Sequence, residues 1–204
     1  QDSSQTNVPV TFFLTEKSFD KGNYSVADTS LEFYHYYLPG FYHNYITLGN
    51  SGSPAQTMYY KNPQITGFST GINFLDAYSS EKENIRYFNT RRPYSKVFFL
   101  MGSKEEQILN VKHTQNIGKP FNFGLDYTNI TSAGYYQRQK TRGNNFHAHS
   151  HFETKNRFYG NFSNFIYHKN TVEENGGLYD NIFFEEGLED RKDAIEITLF
   201  NAYN

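Results

Sequence analysis

Apolar and polar side chains alternate along segment after segment of this chain, and Phe and Tyr supply most of the apolar positions. In Phe121–Tyr127, Phe121, Phe123, Leu125 and Tyr127 alternate with Asn122, Gly124 and Asp126. Gln107–His113 sets Leu109, Val111 and His113 against Asn110, Lys112 and Thr114, and Phe146–Phe152 sets Phe146, Ala148, Ser150 and Phe152 against His147, His149 and His151. In Ala194–Tyr203, Ile195, Ile197, Leu199 and Tyr203 oppose Glu196, Thr198 and Asn204. Successive side chains of a strand point to opposite faces, so each segment reads as a strand with one apolar and one polar face. Gln56–Tyr60, Ile85–Asn89, Lys96–Met101 and Asn156–His168 read as further strands. Turns are expected at Arg91-Arg92-Pro93, Gly102-Ser103 and Arg142-Gly143-Asn144-Asn145. Helical periodicity is hard to find. The fold class is therefore all-β and antiparallel. Residues 1–50 form an irregular N-terminal segment broken at Leu38-Pro39-Gly40 and Leu48–Pro54, and the strands fill 51–204.

The apolar faces must meet something. Phe and Tyr, 20 and 18 residues, make up 19% of the chain, while all hydrophobic residues reach only 37%; about half of the apolar side chains are aromatic. A soluble core is normally built from Leu, Ile, Val and Ala. A two-sheet sandwich would cover the apolar faces with a second sheet; a transmembrane β-barrel would turn them to lipid and its polar faces to a wet interior. Tyr59, Tyr60, Tyr87, Tyr94, Tyr127, Tyr135, Tyr136, Tyr167 and Tyr203 crowd segment ends, where barrels carry aromatic girdles. The longest apolar stretch, Val97–Met101, is far too short for a transmembrane helix.

With 19 Lys+Arg against 21 Asp+Glu, the net charge of −2 argues against a nucleic-acid partner. The absence of cysteine excludes disulfides, thiol nucleophiles and Cys-based metal sites. Gln1–Gln5 reads as the start of a mature exported protein whose signal peptide has been cleaved. His147-x-His149-x-His151 puts three imidazoles on one strand face at steps of about 6.5–7 Å. Imidazoles suit zinc, copper or nickel, but no carboxylate motif accompanies them. A polar stripe is the expected role, with metal ligation the weaker alternative. Glu185–Asp190 fits no EF-hand spacing and reads as a solvated loop. No nucleophile elbow or His-Glu-x-x-His motif is present, so no catalytic residue, enzymatic activity or cofactor is expected.

Leu48–Gln56, Arg91-Arg92-Pro93-Tyr94-Ser95-Lys96, Gly102–Gln107, His113-Thr114-Gln115-Asn116, Asn122–Tyr127 and Glu174-Asn175-Gly176-Gly177 occur in that order. Over residues 24–204 this ordered set resembles the putative porin family of the Bacteroidetes outer membrane. The resemblance implies a β-barrel in the outer membrane of a Gram-negative bacterium, with short periplasmic turns and longer external loops, passing small polar solutes passively. At about 20–25 residues per strand and turn, the strand region supplies roughly seven or eight strands, whereas an aqueous channel needs about 16. The expectation is an N-terminal portion of a larger barrel. On this reading Arg86, Arg91, Arg92, Lys96, Asn110, Lys112, Asn122, Asp126 and Glu196 are candidates to line the water path, the arginines and Lys96 as a basic constriction that attracts anions. The implied partners are outer-membrane lipid and, beyond it, other subunits of an outer-membrane complex or the barrel-assembly machinery. Two other readings stay open: a structural subunit of an envelope complex, docking through Asp2–Tyr45, and a secreted sandwich whose aromatic residues stack on sugars.

Overall fold

The computed structural model describes residues 10–13, 25–27, 45–59, 74–78, 85–136, 138–156 and 158–173. Within them the chain forms short strands β1 (Thr11–Phe13), β2 (Ser25–Val26), β3 (Tyr45–Thr47), β4 (Ala55–Thr57) and β5 (Tyr87–Asn89). Long strands follow: β6 (Tyr94–Met101), β7 (Gln107–Ile117), β8 (Phe121–Ser132), β9 (Thr141–Glu153) and β10 (Gly160–Val172). The long strands form one antiparallel meander in the order β10-β9-β8-β7-β6, each pairing with its neighbours in sequence. β2-β1-β5 and β3-β4 make two smaller antiparallel sheets, and one 3-10 turn lies at Asp76–Tyr78. The all-β, antiparallel expectation holds. Among the described residues the meander is open, with β6 and β10 each paired along one edge.

The register stacks the alternating faces of successive strands in phase. Lys112 pairs with Asp126, Asp126 with His147, and His147 with Ile166. Val111 likewise pairs with Tyr127, Tyr127 with Phe146, and Phe146 with Tyr167. A slip of one residue in any pair would exchange the faces. Every alternation expected over residues 107–152 is reproduced, so one face of the meander is mainly apolar and the other mainly polar, with Ile108, Ile130, Phe162 and Ile166 among the polar side's residues.

These faces are distributed opposite to a soluble protein's. Val97, Phe99, Met101, Phe165 and Tyr167, all on the apolar face, are 51–70% exposed. Across the described residues twelve polar side chains are buried against seven apolar ones, and the polar set includes Thr114, Asn122, Asn145, His147, His149 and His151 of the meander's polar face. What covers that face is the chain preceding β6. Ile85 and Tyr87 pack on Phe162 and Ile166; Tyr87 also meets the edge of the His149 ring, at 5.6 Å between centroids. The Leu48–Ala55 loop docks at one end of the meander, where Thr141 Oγ1 donates to the Ser51 carbonyl (2.6 Å) and Asn50 Nδ2 to the Gln139 carbonyl (2.8 Å). Tyr78 accepts from Asn145 Nδ2 at 2.7 Å. No sheet covers the apolar face among the described residues, as a sandwich would require.

Several boundaries differ from expectation: the strand expected at Gln56–Tyr60 is Ala55–Thr57, and that at Ile85–Asn89 begins at Tyr87. Arg142–Asn145 is strand, inside β9, and the turn before it spans 133–140 with Gly134 and Arg138 at positive φ. The Gly-Asn-Asn tract is tolerated in a strand because its side chains find polar neighbours: Asn144 Oδ1 accepts from Asn129 Nδ2 at 2.7 Å. Asn156 lies in a turn, and the last described strand begins at Gly160. Ala194–Tyr203 falls outside the described residues.

Candidate functional site

The covered polar face gathers most of the residues singled out from sequence. At its centre Lys112 Nζ contacts Asp126 Oδ2 at 2.7 Å. Asn110 Nδ2 donates to Asp126 Oδ1 (2.9 Å) and to Thr128 Oγ1 (2.8 Å). Period two alone puts Asn110, Lys112, Asp126 and Thr128 on one face, and antiparallel register brings them side by side. Lys96 of β6 stands opposite Lys112 on the same face. Asn122 joins a second cluster, bonding Thr114 and Asn116. Asn116 in turn donates to Asn89 Oδ1 (3.0 Å) and accepts from the Thr90 backbone (3.2 Å), linking wall and covering segment.

Arg86, Arg91 and Arg92 are exposed and lie off this face. Arg86 places its guanidinium 4.9 Å from the Phe12 ring centre, and Arg91 and Arg92 form the bend before β6. Glu196 lies outside the described residues.

The histidines line the covered side of β9. His147 and His149 stack at 5.1 Å between centroids, and His151 stacks on Phe162 at 4.6 Å. Phe88 stacks on His149 at 6.3 Å between centroids. His149 lies flat over Gly124, its register partner on β8; a Cβ there would collide with Cε1 and Nε2 of the ring. Among the described residues no three His, Cys, Asp or Glu side chains are grouped to hold a metal ion. The arrangement presents hydroxyl, amide, imidazole and paired ionic groups along one face, all of them able to form hydrogen bonds.

Sequence reasoning did not anticipate that Tyr87, Phe88 and Thr90 would cover this face. Ile85–Asn89 looked like another wall strand; the one local hint is its brevity, cut off by Arg91-Arg92-Pro93.

A protein-family model described as "Putative porin" matches residues 10–204. No curated protein and no solved structure matches the chain.

Proposed function

The chain belongs to the Putative porin family, and on that premise we propose that β6–β10 are wall strands of an outer-membrane β-barrel through which small polar solutes pass passively. The observation that carries this reading is the inverted sheet, with its apolar face exposed and its polar face covered. In a bilayer that inversion is favourable: the apolar face meets lipid, and the polar face lines the lumen. Strand length agrees. β7 to β10 have 11–13 residues, enough to cross the hydrocarbon at a barrel tilt, which takes about 9–11.

The outward face is also layered as a bilayer demands. Gln107, Thr131, Arg142 and Thr171 form one polar end row, followed by Asn129, Asn144 and Lys169. On β8 the apolar outward residues Phe121, Phe123, Leu125 and Tyr127 rise about 20 Å, or about 16 Å when tilted by about 40°, within the roughly 25 Å apolar band of such barrels, while on β7 His113 and Gln115 interrupt the row. At its margin Tyr127 donates its phenol proton to Asn144 Oδ1 at 3.2 Å, as an interfacial tyrosine does. Further strands beyond β6 and β10 would close the barrel, since an open edge in hydrocarbon leaves backbone groups unpaired.

The test is carbonate extraction of membranes containing the natively expressed protein, gel mobility with and without boiling, and liposome swelling by small sugars. Carbonate-resistant, heat-modifiable protein that permits swelling is the expected result. Protein released by carbonate, with unchanged mobility, contradicts the reading.

A further inference from the structure

Resting on the pore reading, we propose that β5 is a displaceable plug strand, latched over the lumenal wall by His147 and His149 and released when these imidazoles take up protons. β5 is seated across the covered side of the wall, and its two central rings close over His149: Tyr87 edge-on and Phe88 stacked. His149 is 4% exposed and His147 7%. Among the described residues neither nitrogen of His149 has a hydrogen-bond partner, nor does Nε2 of His147. A buried polar atom without a partner is unfavourable, so the latch is held by ring packing against a standing polar penalty.

Protonation converts that balance into repulsion. An imidazolium needs acceptors at both nitrogens, and among the described residues none faces either nitrogen of His149 or Nε2 of His147. Two protons would also place two like charges on rings 5.1 Å apart. Of the neighbouring ionisable groups Asp126 relieves this only in part. Asp126 faces His147 from β8, but Lys112 and Asn110 already hold its carboxylate. Lys112, from β7, lies 5.9 Å from the Phe88 ring centre, with Lys96 opposite it on β6. On β10, His168 bonds Asn145, and uncharged Asn164 stands opposite His149. On β9, His151 and Glu153 lie further along the same face. Arg86, beside β5, turns to Phe12. Other ties of β5 to the wall run through Asn116 to Asn89 and Thr90, which water can replace, and through Tyr87 on Phe162 and Phe88 on Tyr94, which release of the strand must break. Lifting β5 breaks none of the pairing between β6 and β10.

The test is ion conductance of the full-length protein in planar bilayers, at neutral pH and at about pH 4, well below the ordinary imidazole value of about 6.5. The chain has no cysteine, so Asn89→Cys with Asn116→Cys, whose native side-chain ends meet at 3.0 Å, can be joined plug to wall through a short bis-methanethiosulfonate linker, which oxidises both thiols to mixed disulfides. The wild type should conduct several-fold more in acid. The linked double-Cys protein should stay low at both pH values until reduced, and His147→Gln with His149→Gln should abolish the acid step. Equal conductance at both pH values, or an acid step that survives either cross-linking or the His substitutions, overturns the latch and leaves the pore reading standing. Protein that inserts yet conducts at neither pH, in every variant and after reduction, overturns the pore reading and the latch with it.

Discussion

Gly124 sits in a β8 strand whose conformation any residue could adopt, yet only a hydrogen fits where the His149 ring lies. Gly124→Ala should force that ring off its stack with Phe88 and Tyr87 at a cost of about 1–3 kcal/mol. Urea unfolding in detergent measures this, and the cost should largely vanish in a His149→Ala background. Equal penalties in both backgrounds would mean that the ring does not set the requirement. Asp126 carries the other residue-scale expectation. Asp126→Asn removes the partner of Lys112 and leaves an uncompensated cation on the lumenal wall. Under a salt gradient the reversal potential should then shift toward anion selectivity; an unchanged potential would take Asp126 off the solute path. The common face of Asn110, Lys112, Asp126 and the three histidines was legible in the sequence, because period two is a local property of a strand. The roof of Tyr87 and Phe88 above them was not. It depends on where a segment some sixty residues away folds back, and no spacing rule carries that information.

The hairpins join strands by different devices. Between β6 and β7, Glu106 donates its backbone N–H to the Ser103 carbonyl at 3.2 Å, and the two central residues, Lys104 and Glu105, both have positive φ. That is the primed geometry which suits strand twist and usually calls for Asn-Gly. A non-glycine residue there costs roughly 1–2 kcal/mol. Glu105→Gly should therefore stabilise the protein by about 1 kcal/mol, seen as a higher urea midpoint; a lower midpoint would show that the Glu105 side chain outweighs the backbone term. The turn before β9 shows the limit of local reading. Arg142-Gly143-Asn144-Asn145 has turn composition but lies in a strand, where Asn144 bonds Asn129 and Tyr127 across β8. The actual turn is held by Gln139, whose side-chain oxygen accepts from the Tyr135 and Tyr136 backbones. Cross-strand satisfaction overrode local propensity there.

Across the whole molecule, the distribution of polarity decides the account. The alternation of Phe123, Leu125 and Tyr127 with Asn122, Gly124 and Asp126 left two environments open for the apolar face, a second sheet or lipid. The fold supports lipid on our reading, leaving Val97, Phe99 and Phe165 exposed while burying Thr114 and Asn145. Lysine substitutions should feel the difference. Val111→Lys, within the outward band, should cost about 2–4 kcal/mol of folding into lipid, and Thr128→Lys, on the covered face, only a fraction of that. Equal costs would contradict the assignment of the two faces.

The most direct test is a depth-resolved fluorescence scan along β8. The chain has no tryptophan, so single substitutions report without background. In bilayers containing brominated lipid, Phe123→Trp, Leu125→Trp and Tyr127→Trp should be strongly quenched, and Asn122→Trp, Asp126→Trp and Thr128→Trp should not. Quenching that ignores this alternation, or spares the first three positions, would contradict a sheet whose Phe and Tyr face meets lipid.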